Sequence, residues 1–141
     1  MLDWSKAYEM YLSMSENQRM GIIRKAQPIV FDEVKKLVEE NEERKTLLLL
    51  LVGEFFTLSE DRIVDEYRYF RQICGMDLDL DTFRAGAARG KNPQLTNVLH
   101  EYFRQLGGES LMAYLSYGLA IMSQKGELSE EEKQLIESIH D

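Results

Sequence analysis

The chain has 141 residues, of which 44% are hydrophobic and 30% are charged, and its formal net charge is −8. That length is enough for one domain with its own hydrophobic core, and we treat residues 1–141 as a single domain. The apolar share excludes a disordered chain. The single cysteine, Cys74, excludes an internal disulfide.

The charge and the hydrophobic pattern of the sequence also exclude nucleic-acid binding and a membrane-spanning segment. The segment from Glu127 to Asp141 contains six acids and one lysine, and no basic stripe elsewhere compensates for it. Such a surface repels nucleic acid. The longest uncharged run, Ser110 to Gln124, has 15 residues, whereas a membrane span needs about 20 apolar ones. The N-terminus has no signal-peptide pattern, so we expect a cytoplasmic protein.

The first third of the chain predicts three helices. The first has apolar residues at helical spacing: Leu2, Trp4, Tyr8, Tyr11 and Leu12. One of two capping boxes starts the second helix. The two boxes are Ser13 with Glu16 and Ser15 with Gln18. Pro28 predicts the start of a third helix, because proline is tolerated at the first helical position.

The middle of the chain predicts a buried helix followed by an amphipathic one. The run from Thr46 to Phe56 is apolar on all sides, and leucine favours helix over strand. Thr57 and Glu60 form a capping box that predicts the next helix start. The inward side chains of that helix are Ile63, Val64, Tyr67, Phe70 and Cys74. Gly75 predicts its left-handed end.

The last third predicts three longer helices after a short helix that begins at Asp79 or Asp81. Asn92-Pro93 predicts a turn. The next helix has the inward residues Leu95, Val98, Leu99, Tyr102, Phe103 and Leu106. Ser110 to Gln124 has no polar side, with Met112, Leu115, Leu119 and Met122 on one face and small residues beside them. We therefore place it at the centre of the bundle, and Ser129 to His140 forms the last helix.

No set of residues predicts an active site or a cofactor site. The run Asp77 to Asp81 begins like a calcium loop, but Thr82 and Ala88 stand where that loop needs glycine and glutamate. His100-Glu101 begins like a zinc-protease helix, but Arg104 replaces the second histidine. We therefore predict no catalytic residues and no cofactor, and we expect Cys74 to be a buried thiol.

The remaining metal candidates lie at the start of the last helix. Glu127, Glu130 and Glu131 are close in sequence, beside a capping box of Ser129 and Glu132. Consecutive helical side chains fan out by about 100° each, which works against a common ion.

Two segments of the chain are alike and resemble a known family. Gly53-Glu54 with Leu58-Ser59-Glu60, and Gly126 to Glu130 (Gly-Glu-Leu-Ser-Glu), each follow an apolar helix and precede another helix. This pseudo-repeat resembles the TerB-like family, named from bacterial tellurite resistance, over residues 47–139. Residues 1–46 lie outside the resemblance. The family's turn aspartate, which resembles a metal ligand, falls on Lys125 and Val52 here, and neither supplies an anionic oxygen.

The resemblance implies an all-α bundle of about eight to nine helices in two related halves. It also implies a non-enzymatic interaction or adaptor module in a stress response of the bacterial cytoplasm. We expect a protein partner that binds either the acidic last helix or a methionine-lined groove; the sequence sets no oligomeric state. The alternative is a divalent-metal sensor that uses the acids of the helix-turn segments.

Overall fold

A computed structural model describes residues 3–141, and every regular element in that range is helical. Eight α-helices and one short 3-10 helix confirm the all-α prediction. In chain order they are α1 (Trp4–Ser13), α2 (Glu16–Leu37), α3 (Asn41–Gly53), α4 (Ile63–Cys74), α5 (Leu80–Ala88), the 3-10 helix (Arg89–Lys91), α6 (Pro93–Leu106), α7 (Gly108–Ser123) and α8 (Glu130–His140). No helix in the described range is long and apolar enough to cross a membrane.

Helix α7 is the centre of the bundle, as its uniformly apolar sequence predicts. It packs along α2 and also contacts α1, α6 and α8. Nearly every residue from Ala113 to Ser123 is buried. Met112 is an exception to the predicted inward face, since 48% of it is exposed. It lies in the first turns of α7, where no residue from Gly108 to Met112 is yet buried in the core.

Two glycines allow close packing between the helices that form the cleft described below. A Cβ on Gly53 would lie 2.4 Å from the carbonyl oxygen of Ala87, and one on Gly90 would lie 2.4 Å from that of Leu50. The end of α3 therefore packs backbone to backbone against α5 and the 3-10 helix. This contact fixes the residue that follows Gly53, which is Glu54.

One predicted helix start is wrong, and another is settled between its two alternatives. Pro28 lies inside α2 rather than at the start of a third helix. Proline frees the carbonyl four residues earlier, and both Pro28 and Arg24 are exposed, so water can serve that carbonyl. The Ser13 box does not form, whereas Ser15 and Gln18 make the complete capping box of α2.

The Thr57–Glu60 capping box is also wrong. Helix α4 begins at Ile63 without a side-chain cap, because the backbone and hydroxyl of Thr57 bond instead to Glu66. The other predicted ends are confirmed. Gly75 ends α4 at a φ of 66°, Asp79 caps α5, and Ser129 with Glu132 caps α8.

Besides Met112, three residues predicted to face inward are exposed instead. Val64, Val98 and Leu106 are 46%, 66% and 43% exposed. Each lies at the edge of an apolar stripe whose central residues, such as Phe70 and Phe103, are fully buried. Helical periodicity identifies the inward side of a helix, but the neighbouring helices decide how wide the covered stripe is.

We predict that Gly118→Ala destabilises the protein by about 1–3 kcal/mol, because buried methyl groups without space force overpacking. The added Cβ would lie 2.5 Å from the ring of the buried Phe55. The matched control is Gly21→Ala in α2, where the new Cβ meets no atom within 4 Å. That change should stabilise the helix by about 0.5–1 kcal/mol. Chemical denaturation measures both, and a loss of stability in neither variant would contradict the central position of α7.

Candidate functional site

A cleft of about 770 Å³ lies beside α6 and α8, and we call it the α6–α8 cleft. Its walls come from the turn after α3, the 3-10 helix with the start of α6, and the turn and first half of α8. Six polar residues carry its chemistry: Glu54, Lys91, Thr96, His100, Lys125 and Glu132.

Glu54 forms the buried floor of the cleft. It follows the last residue of α3, and its side chain is 1% exposed. One carboxylate oxygen, Oε1, lies 2.6 Å from His100 Nε2 of α6. The other, Oε2, accepts a hydrogen bond of 2.5 Å from the Tyr114 hydroxyl of α7. Burial, followed by the charge of Glu54, raises the pKa of Tyr114 well above its usual value, so Tyr114 stays a donor to the carboxylate.

Lys91 binds carbonyl groups that follow the C-terminal end of α3. Its Nζ donates to the carbonyl oxygen of Glu54 at 3.2 Å and to that of Phe56. These carbonyls lie beyond the last helical hydrogen bonds, where a cation is favourable. Lys91 as a residue is exposed, but loss of water around its ammonium lowers its pKa, and the nearby charges of Glu66 and Glu54 oppose that shift.

Glu66 holds the turn between α3 and α4. Its carboxylate accepts from the backbone N–H of Thr57 and of Leu58, each at 2.7 Å, and from the Thr57 hydroxyl at 3.0 Å. Leu58 has a φ of 58°, in the left-handed region that leucine rarely adopts. Bonds to a buried carboxylate stabilise this conformation and fix the turn beside the cleft.

The turn between α7 and α8 uses a similar plan. Lys125 Nζ donates to the carbonyl of Met122 at 2.8 Å and to Glu132 Oε2 at 2.5 Å. Glu132 also accepts from the backbone N–H of Ser129 at 2.9 Å. In both turns, a lysine ammonium binds carbonyls at the end of an apolar helix and a glutamate of the next helix bonds the turn backbone. Lys125 is predicted as the replacement of an acidic ligand, and here it is a 7% exposed cation.

The metal candidates are not brought together. Glu127 pairs with Arg62 at 3.2 Å and Glu130 pairs with Lys133 at 3.5 Å. Glu131 is exposed at the mouth of the cleft. Across residues 3–141, no group of three or more His, Cys, Asp or Glu residues is placed to hold an ion.

Sequence reasoning missed most of the polar floor. His100 is named above only as half of a zinc motif, and Tyr114 only as part of an apolar helix. Glu54 carries the one available signal, because it is the single charged residue between Thr46 and Phe56. A charge inside an otherwise apolar segment needs buried partners. Those partners come from 46 and 60 residues further along the chain, so the sequence does not reveal them.

Cys74 lies outside the cleft and is half-buried rather than fully buried. Its Sγ lies 3.8 Å from the hydroxyl of Tyr117, and that hydroxyl donates to Gln27 Oε1 at 2.8 Å. Burial raises the pKa of the Cys74 thiol to about 12. The thiolate is the reactive form of cysteine, so this environment favours a structural thiol.

Comparisons with protein-family models, with curated proteins and with solved structures find no match for this protein. The resemblance to the TerB-like family therefore depends on the two turn segments.

We predict that calcium, magnesium and manganese leave the melting temperature unchanged, because the glutamates do not converge. An ion at one hundred times its dissociation constant would stabilise the fold by about 2.7 kcal/mol. For a domain of this size that corresponds to a rise of roughly 5–10 °C. The measurement is a thermal melt with each ion and with a chelator at matched ionic strength. A rise of that size for any one ion would establish a metal site.

We predict that Glu54→Gln destabilises the protein by about 1–3 kcal/mol, because a buried charge-assisted network loses an acceptor. The matched control is Glu127→Gln, which makes the same change at an exposed position of the same cleft. Exposed substitutions of this kind usually stay within about 0.5 kcal/mol. Urea denaturation measures both variants. Equal stabilities would show that the Glu54 network does not hold the fold.

Proposed function

We propose that this protein is a non-enzymatic interaction module of the TerB-like kind in the bacterial cytoplasm, and that its partner protein binds at the α6–α8 cleft. One observation carries the proposal: the cleft is open to solvent, yet its more buried polar side chains are already held by internal partners, as in the pairs Glu54–His100 and Lys125–Glu132. A surface that is organised before binding loses little entropy when a partner docks.

The hydrogen bonds in the cleft favour binding over catalysis. Covalent catalysis needs a nucleophile bonded to a base. Within the described range, His100 bonds to the carboxylate of Glu54, and His140, outside the cleft, bonds to Asp141. The cleft hydroxyls of Thr96 and Ser138 donate to backbone carbonyls. Among residues 3–141, no hydroxyl or thiol is hydrogen-bonded to an imidazole.

The location of the cleft supports the acidic last helix as part of the binding surface. Glu127 and Glu131 lie at the mouth, and Leu128 and Leu135 line the interior. None of the methionines in residues 3–141 lines this cleft, and Met20 and Met122 are core residues. The volume of about 770 Å³ suits a side chain or the end of a partner protein, since binding pockets commonly span about 300–1,000 Å³.

The test is site-specific photocrosslinking in the native host. A crosslinker replaces Asn97, which lines the cleft, or Lys35, which is exposed on α2. We expect one protein to be captured from position 97 and not from position 35. Charge reversal at the mouth, Glu131→Lys, should change the yield of that capture, whereas Asp32→Lys on α2 should not, because Asp32 does not line the cleft. Equal capture from both positions, or equal effects of both reversals, would refute the cleft as the docking surface.

A further inference from the structure

Lys91 differs from the other cations of the α6–α8 cleft because it has no anionic partner. Arg62 pairs with Glu127 and Lys125 pairs with Glu132. Lys91 forms no ion pair with any residue in the described range, and its hydrogen bonds go to two backbone carbonyls. The carboxylates nearest to it are engaged elsewhere, since Glu54 bonds to His100 and Tyr114, and Glu66 bonds to the turn.

The ammonium group of Lys91 keeps one donor for a ligand. A lysine ammonium has three N–H groups, and two of them are used by the carbonyls of Glu54 and Phe56. Lys125 is in the same situation, with two N–H groups given to Met122 and Glu132. Both lysines line the α6–α8 cleft. Each lysine therefore has one further N–H group that an acceptor in the cleft could bind.

The other walls of the cleft define the shape and charge of that acceptor. Phe56, Leu128 and Leu135 give it apolar sides. Glu131 adds a negative charge at the mouth, which opposes a doubly charged group such as phosphate more strongly than a singly charged one. A group with one negative charge and an aliphatic neighbour fits both features.

We infer that the α6–α8 cleft is a binding site for a carboxylate group, which Lys91 and Lys125 hold while Phe56, Leu128 and Leu135 pack against the adjoining aliphatic carbons. This rests on the proposed function, because it names the chemical group of the partner that enters the cleft. The carboxylate comes from the carboxy terminus or an acidic residue of a protein, or from a free organic acid.

The test is an NMR titration of the full-length protein, labelled with ¹⁵N, with propionate and with inorganic phosphate at constant ionic strength. We expect propionate to shift the amides of Gly90, Thr96 and Lys125 and to bind more tightly than phosphate. Lys91→Met should weaken propionate binding by about tenfold or more, since a charge-assisted hydrogen bond is lost. Lys35→Met removes the same charge on α2 and should leave the affinity unchanged.

Two further measurements keep the test decisive. If Lys91→Met fails to fold, Lys91→Arg retains the charge and should keep propionate binding, and the wild-type shifts still locate the site. N-acetyl tetra-alanine with a free terminal carboxylate is compared with the same peptide ending in an amide. Tighter binding of the acid than of propionate identifies a peptide terminus as the source, whereas equal or weaker binding identifies a free organic acid.

Several outcomes would overturn the carboxylate site. They are no binding of propionate, shifts that lie outside the cleft, phosphate bound as tightly as propionate, and equal weakening by Lys91→Met and Lys35→Met. Failure of the proposed function looks different. If propionate binds in the cleft while the crosslinker at position 97 captures no protein, the carboxylate site stands and the protein-docking function falls.

Discussion

The fold depends on the burial of one carboxylate, that of Glu54. Removing an ionised group from water costs several kcal/mol unless hydrogen bonds and charges compensate for it. Here the compensation comes from His100 and Tyr114, which α6 and α7 contribute at 2.6 and 2.5 Å. These bonds form only when α3, α6 and α7 meet in one arrangement. A polar network of this kind is costly when it is incomplete, so it favours a single packing of these three helices.

The same constraint shapes the cleft. Because Glu54 stands at the end of α3, the carbonyls of that helix end face the same space, and Lys91 supplies the cation that they need. Gly53 and Gly90 allow the close backbone contact that brings Lys91 into reach. At the end of α7, Lys125 likewise binds a backbone carbonyl, that of Met122, and it also pairs with Glu132. The cleft is the space between these two helix ends, and its polar walls follow from the need to satisfy both.

The two lysines of the cleft differ in how their charges are compensated. Lys125 is paired with Glu132 of the following helix. Lys91 comes from the 3-10 helix and serves carbonyls of a distant helix, while the carboxylates around it already have other donors. Its charge therefore remains available toward solvent. An acidic protein with a net charge of −8 in this way keeps a cationic point inside an otherwise acidic surface.

Most of the helices were predictable from local patterns. The apolar run of α7 predicted its central position, and Ser129 with Glu132 predicted the start of α8, because periodicity and capping act within a few residues. Prediction of the α4 start failed because a residue outside the local capping segment offered a competing hydrogen bond. Thr57 could cap a helix locally, but Glu66 offers its backbone a buried carboxylate, and the expected capping box did not form.

The sequence by itself determined the helical class, the positions of most helix ends and the single charge inside the α3 run. Only the tertiary structure decided which residues form the site. His100, Tyr114 and Lys91 are separated from Glu54 by 46, 60 and 37 positions, and no short motif links them. Local patterns reflect the free energy of a single helix, whereas a buried carboxylate selects its partners from every helix that packs around it.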